Sequence, residues 1–427
     1  MNQALQDVIE HRQHMSVAGK IRPQASATWE ISILVLGAAV VVAVEFMVIG
    51  LTPFIAQTMK LSAQQASGLV TCFALGSAAM GPLAAIISRR IRTDLAMTLA
   101  LLPFAANIIV PILREPLLLY LLRTAQGATL PLFIGVASEA LSRILGRDAK
   151  AIGLIYLGVT IGGLLGVPGG VALAQAMGWY SPFILLGGLA VGVAFTINRL
   201  PRLRLHASSQ GQTGSQIALA IQPKMLAHLF LSLLQFSAMF SMYTFLGTIL
   251  TEAGQGGAAM PYWLLLFGVA GVAGNVLAGH FTGNFLGAST IITAALIALT
   301  GLVLHAVPLA PIALFLLLAI WGAAHAAAFV VSQIRVTRVA PQVPRLAAAL
   351  NISAANLGIA LGTAIGGWTL SVNGLDGLGL AGIGLGMLSL GLAGAIGDGQ
   401  CSSCLRAQRR PNLNPSPLKR IRQNSGC

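Results

Sequence analysis

Of 427 residues only 11 are Asp or Glu, and one of these, Glu45, stands in the middle of a long apolar run. A carboxylate in hydrocarbon costs on the order of several kcal/mol unless it is paired or protonated. Glu45 is therefore a candidate to take up and release a proton as its surroundings change. Arg123 is the basic counterpart, likewise set in apolar sequence. An arginine close to Glu45 favours the charged carboxylate, so a proton would bind best when such a pair is broken. The competing reading is a static ion pair that only locks helices together. Amides and an imidazole in other apolar runs, Gln126, Asn275, His325, Asn351 and Asn356, could hydrogen-bond a small substrate, and could equally bond neighbouring helices. His325 could also titrate. The chain has no Gly-x-x-x-x-Gly-Lys-Ser/Thr phosphate loop and no His-Glu-x-x-His pair, so nothing points to a nucleotide-driven pump in one chain or to a zinc enzyme. Cys401 and Cys404 form a lone pair without nearby histidines and read as bystanders. No metal and no cofactor is expected.

The elements that would position these groups follow from composition. The chain is 56% hydrophobic and 8% charged, against roughly a quarter charged in soluble domains, which excludes a water-soluble protein. About twenty apolar residues cross a hydrocarbon core roughly 30 Å thick. Twelve such spans are expected, over residues 31–54, 66–87, 94–113, 116–141, 149–177 and 180–197, then 224–253, 261–285, 287–307, 311–334, 345–372 and 375–396. Glu45 lies about 14 residues into the first span, about 21 Å deep at 1.5 Å per residue. Arg123 lies about six residues into the fourth, which enters from the opposite face, about 9 Å deep. In a slab about 30 Å thick the two reach similar depth.

The net charge of +14 is a topology signal. On a twelve-span zigzag, 22 of the 25 Lys and Arg fall on one side, leaving Lys60 and Arg114 on the other and Arg123 inside. The positive-inside rule then puts both termini in the cytoplasm, with the excess charge near anionic lipid and not on nucleic acid. The first residues are polar and lack a cleavable signal, so span one is expected to be its own insertion signal. Asp94 and Glu139, beside Arg92 and Arg143, read as interfacial pairs. The expected layout is a cytoplasmic tail 1–30, a six-helix half 31–198, a polar linker 199–223, a second half 224–397 and a basic tail 398–427. Gly158, Gly162 and Gly166 of span five recur 200 residues later as Gly358, Gly362 and Gly366 of span eleven. With Gly170 and Pro168, these residues should serve close packing, a kink and the sealing and rocking of helices. The expected fold is an all-α membrane protein of twelve transmembrane helices in two pseudo-symmetric six-helix halves, a known transporter plan.

Several stretches carry a family resemblance. They are Glu45-Phe-Met-Val-Ile-Gly-Leu-Thr-Pro53, Ser67 to Gly76 with Gly81-Pro82, Arg123 with Gln126-Gly127, Gly162-x-x-x-Gly166-Val-Pro168-Gly-Gly170, Gln333-Ile-Arg335, and Asn351 to Gly362. Together, over about residues 30 to 396, the chain resembles the major facilitator superfamily, and within it the twelve-span drug:proton antiporters similar to arabinose and sugar efflux permeases. It departs from the general superfamily loop after span two, where Ala85 and Ser88 stand in place of Asp and Gly. The resemblance implies a monomeric, bacterial inner-membrane transporter that exports a small organic molecule, a sugar, nucleoside or drug-like compound, against proton entry. It implies alternating access around a site between the halves. A proton-coupled importer of the same fold, or a membrane-embedded enzyme using Glu45 and His325, are the alternatives.

Overall fold

Lipid removes the hydrophobic force between helices, so small residues decide which helices come close. The computed structural model describes residues 25–87, 91–112, 115–146, 148–203, 222–307 and 310–408. Its first half contains α1 (Ala25–Met59), α2 (Ala63–Ile87), α3 (Thr93–Ala105), α4 (Pro116–Leu145), α5 (Asp148–Met177) and α6 (Ser181–Arg199). The second contains α7 (Pro223–Tyr243), continued by Leu246–Glu252, then α8 (Met260–Phe281), α9 (Leu286–Ala306), α10 (Pro311–Val339) and α11 (Pro344–Gln408). Proline stands in the first turn of α4, α6, α7, α8 and α10, where its missing N–H is no loss. After α3 the chain tightens into a 3-10 stretch, Ala106–Ile112, with Pro111 inside it.

Ten helical stretches among the described residues are long and apolar enough to cross a membrane, and one of them, Leu346–Ile396, has 51 residues. At 1.5 Å per residue that stretch would run about 77 Å, more than twice the hydrocarbon thickness. It breaks at Gly374, with φ 62° and ψ −148°, a conformation that glycine adopts without strain. Beyond the break Gly377 packs on the carbonyl of Thr369, so the second limb turns back along the first. Two limbs of α11 and the 25-residue α2 bring the crossings to twelve, with spans eleven and twelve joined by a single glycine turn.

The glycine ladders set the helix pairs. A Cβ on Gly158 or Gly162 would overlap the carbonyls of Val35 and Ala39, one on Gly166 would lie 2.8 Å from the Cα of Ala43, and one on Gly170 would lie 3.1 Å from Met47. In the second half Gly358, Gly362 and Gly366 of α11 stand in the same relation to Leu233, Ser237 and Ser241 of α7. Both members of each contact recur at nearly the same offset, so the α1–α5 and α7–α11 pairs are copies of one another. A second copied contact sets Gly127 of α4 on Phe73 of α2, and Gly322 of α10 on Phe267 of α8.

The halves meet where α2 packs on the first limb of α11 and α5 packs on α8. Gly81 abuts Ser353, and a Cβ on Gly367 would lie 3.2 Å from both Gln64 and Ser67. Pro168 cannot donate to the carbonyl of Leu164, and that carbonyl lies 3.3 Å from where a Cβ on Gly268 would stand. At one end of this seam Gln175 donates to the carbonyl of Gly257 at 2.6 Å.

Arg92, Arg143, Arg199, Arg202, Lys224 and Arg338 all fall at one end of the zigzag, and Lys60 at the other. The Arg92–Asp94 pair closes at 2.6 Å and Arg143–Glu139 at 4.0 Å. Arg12, Lys20, Arg22, Arg89, Arg90, Arg114, Arg147, Arg204 and the tail from residue 409 lie outside the described residues.

Adjacent glycines in α5 provide a test of the ladder. Gly162→Ala is expected to lower stability by about 1 to 3 kcal/mol through overpacking. Gly163, whose Cβ would meet nothing within 4 Å, should tolerate Ala with no loss. Thermal unfolding of the two detergent-solubilised variants checks this, and equal behaviour would contradict the ladder.

Candidate functional site

Arg123 lies eight residues into α4 with none of its surface exposed. A guanidinium so placed must have its donors taken, because no water reaches them. Nη1 donates to the carbonyl of Val44 at 2.9 Å and to Oε1 of Gln126 at 3.1 Å; Nη2 donates to the main-chain carbonyl of Glu45 at 2.9 Å. Nε donates to the carbonyl of Leu69 at 3.3 Å, and the guanidinium lies over the ring of Phe73, 4.4 Å from its centroid. Arg123 therefore ties α4 to the backbones of α1 and α2. The close approach that Gly127 and Gly76 allow between α2 and α4 brings those carbonyls within reach.

Glu45 and Arg123 are together, as their depths suggest, but the contact runs through the main chain of Glu45. Among the described residues the Glu45 carboxylate makes no ion pair and no hydrogen bond. It faces a cavity of about 10 Å³ between the halves, lined also by Phe46, Val70 and Phe73 of the first half and by Phe240 and Ile359 of the second. That space holds about one water. Small-molecule ligands occupy some 300 Å³ or more, so admitting one requires the halves to part. Phe46 and Phe240 stack across the seam, centroids 6.4 Å apart and 28° from parallel.

The other sequence candidates divide by place. Gln126 is wholly buried and fixes α4 to α3, its Nε2 donating to Asn107 at 2.7 Å and to the carbonyl of Pro103 at 3.1 Å. His325 belongs to an aromatic cluster, 4.4 Å from Tyr243 and 5.3 Å from Phe240 between ring centroids, which puts it behind the second-half wall of the cavity. Asn351 joins α11 to α7 and α10 through Ser232, Ser332 and Gln333. Asn356 donates to the carbonyl of Ile352 in its own helix, with Oδ1 unpartnered. Asn275 of α8 is half-buried with Oδ1 unpartnered. None of the last three lines the cavity at Glu45.

Sequence reasoning missed Tyr243. It is buried within electrostatic reach of Glu45 and stacks on Phe267, centroids 5.0 Å apart. The signal was present: Tyr243 follows Glu45 by 198 positions, as Ser237 follows Ala39, so superposing the two glycine contacts pairs Tyr243 with Glu45. Asn107, the anchor of Gln126, carries no comparable mark.

A family model described as Major Facilitator Superfamily matches residues 34–363. Among curated proteins, the chain is 28% identical over 351 residues to the inner membrane transport protein YdhP of Escherichia coli K12, covering 79% of this chain and 88% of that one. It is 28% identical to a probable sugar efflux transporter of Mannheimia succiniciproducens, covering 79% and 86%. It is 27% identical to a chloramphenicol resistance protein of Streptomyces lividans, covering 76% and 85%. Among solved structures, the nucleoside transporter NupG superposes with a TM-score of 0.70 at 13% identity, covering 87% of this chain and 98% of that one. A bacterial homologue of the lysosomal transporter Spinster, inward-facing and occupied, superposes at 0.68 with 16% identity, covering 93% and 100%. These two likenesses show the fold alone.

Stability separates the roles of the two charges. Arg123→Gln, which removes bonds to α1 and α2, is expected to cost at least about 2 kcal/mol. Glu45→Gln should stay within about 1 kcal/mol of the parent, because its carboxylate bonds nothing. Thermal unfolding in detergent decides, and equal losses would mean that the carboxylate is a structural partner.

Proposed function

The chain belongs to the major facilitator superfamily, a multi-pass membrane transporter, and on that premise we propose that it exports a small organic molecule in exchange for protons, with Glu45 as the coupling group. The observation that carries this reading is an uncommitted carboxylate at the contact between the halves, beside a guanidinium engaged by main-chain carbonyls. A carboxylate in apolar surroundings with no bonded cation is unstable as an anion. It accepts a proton when it opens to the acidic side and is discharged when substrate or water reaches it from the other. Rocking of one half against the other about the α2–α11 and α5–α8 seams would switch the side to which Glu45 opens. One charge moving through 100 mV contributes about 2.3 kcal/mol to that exchange.

Export as the direction is supported by the relatives named for sugar efflux and chloramphenicol resistance, and an inner-membrane location by the relative named as an inner membrane transport protein. The charge asymmetry supports cytoplasmic termini. The rings of Phe46, Phe73 and Phe240 around the cavity favour a substrate with an apolar or ring-shaped face, which these side chains can cover while Glu45 meets its polar side. We propose that the monomer is the transporting unit, since each chain contains both halves of the site.

Proteoliposomes carrying Glu45→Gln test the coupling. The variant is expected to lose substrate-driven proton movement by at least about tenfold while retaining exchange of labelled for unlabelled substrate. Undiminished proton movement would remove Glu45 from the coupling role.

A further inference from the structure

A second cavity, of about 350 Å³, lies far from Glu45 at the basic end of the second half, lined by Lys224, Asn284, Leu286, Gly287, Arg338 and Val339. Its lining charges are of one sign. Lys224 stands in the first turn of α7, and Arg338, in the last turn of α10, is anchored by donating Nη2 to the carbonyl of Gly283 at 2.7 Å. Leu286 and Gly287 are the first two residues of the 21-residue α9, whose start has no side-chain cap. The first-turn N–H groups and the positive end of that helix therefore open onto the same space.

A deeper layer adds an imidazole and one further guanidinium. One turn further into α7 from Lys224 is His228, and one turn further into α10 from Arg338 is Arg335, each only 2% exposed. Arg335 donates Nη2 to the hydroxyl of Ser232 at 2.7 Å. Its Nε and Nη1 have no partner, nor has either ring nitrogen of His228. His228 is within electrostatic reach of both Arg335 and Lys224. Among the described residues no carboxylate forms an ion pair with Lys224, Arg335 or Arg338. Two cations and an uncapped helix start thus surround a space that a buried guanidinium without a counter-ion underlies. An anion in that space would offset the repulsion among these groups and complete the hydrogen bonding of the α9 start.

We propose that this cavity binds a phosphate-class anion, supplied either by a lipid headgroup of the adjoining leaflet or by free phosphate. Lys224 and Arg338 supply the charge, and the N–H groups of Leu286 and Gly287 supply the directional donors. The site is independent of the direction of transport and of Glu45.

The full chain tests this in two arms, against Lys224→Gln/Arg338→Gln. In neutral detergent, sodium phosphate is titrated at constant ionic strength and the unfolding midpoint is followed. In parallel, the protein is placed in phosphatidylcholine nanodiscs with and without phosphatidylglycerol, and retained lipid is counted by native mass spectrometry. The wild type is expected to respond saturably in at least one arm, with half-saturation at least about tenfold lower than in the neutral variant. A response to phosphate identifies free anion as sufficient, and a response to phosphatidylglycerol alone identifies the headgroup. The charge-preserving variant Lys224→Arg/Arg338→Lys guards against misfolding and should respond within about threefold of wild type. The proposal is overturned by no response in either arm, by equal responses in wild type and neutral variant, or by a charge-preserving variant as impaired as the neutral one.

Discussion

A guanidinium sealed from water inside a helix bundle must find partners for its N–H groups, and in this protein the partners of Arg123 are mostly backbone. That requirement fixes much else. Carbonyls of α1 and α2 can reach Arg123 only if α2 and α4 nearly touch, which Gly76 and Gly127 allow. The Nη1 that also serves Gln126 fixes that amide, which in turn fixes Asn107 at the start of the 3-10 stretch. The consequence for chemistry is indirect. A cation whose bonds are already made holds the backbone of Glu45 in place and leaves its carboxylate free to change protonation state without disturbing the packing.

The two halves share a scaffold and differ in what they present. The glycine contacts of α5 on α1 recur as those of α11 on α7, so position 45 has a counterpart at 243. One carries a carboxylate, the other a phenol set among Phe240, Phe267, Trp321 and His325. Copied backbones supply two similar bodies, and unequal side chains at equivalent positions set a carboxylate in one and a buried phenol in the other. The near absence of free volume between them at Glu45 means that nothing much larger than a water fits there unless the halves part.

The sequence made the scaffold legible because its rules are local. Apolar length marks spans, basic residues mark one face, and glycines spaced by four mark close packing. Even the glycine turn between spans eleven and twelve follows from a 51-residue apolar stretch that no single crossing can contain. The partners of Arg123 were not legible. Residue types at similar depth predict that Glu45 and Arg123 meet, but whether a guanidinium bonds a carboxylate or the carbonyl behind it depends on helix rotation and on Phe73 beneath it, neither of which spacing reveals. Gln126 looked like Asn351 or Asn275 in sequence, an amide in an apolar span, and its commitment to Asn107 and Pro103 emerges only when α3 and α4 are packed together. The cavity at Lys224 and Arg338 was invisible for the same reason, since its residues come from helix ends more than a hundred positions apart.

The central claim is that the carboxylate of Glu45 is uncommitted and changes protonation while Arg123 stays bound to main-chain carbonyls. Infrared difference spectroscopy of the reconstituted protein reads this directly as the pH is lowered stepwise. The account predicts a protonated-carboxyl stretch that grows in and is missing from Glu45→Gln, with no change in the amide bands that report helix packing. A Glu45 that stays ionised at every pH at which the protein remains folded would contradict it, and would mean that the carboxylate is held by a cation after all.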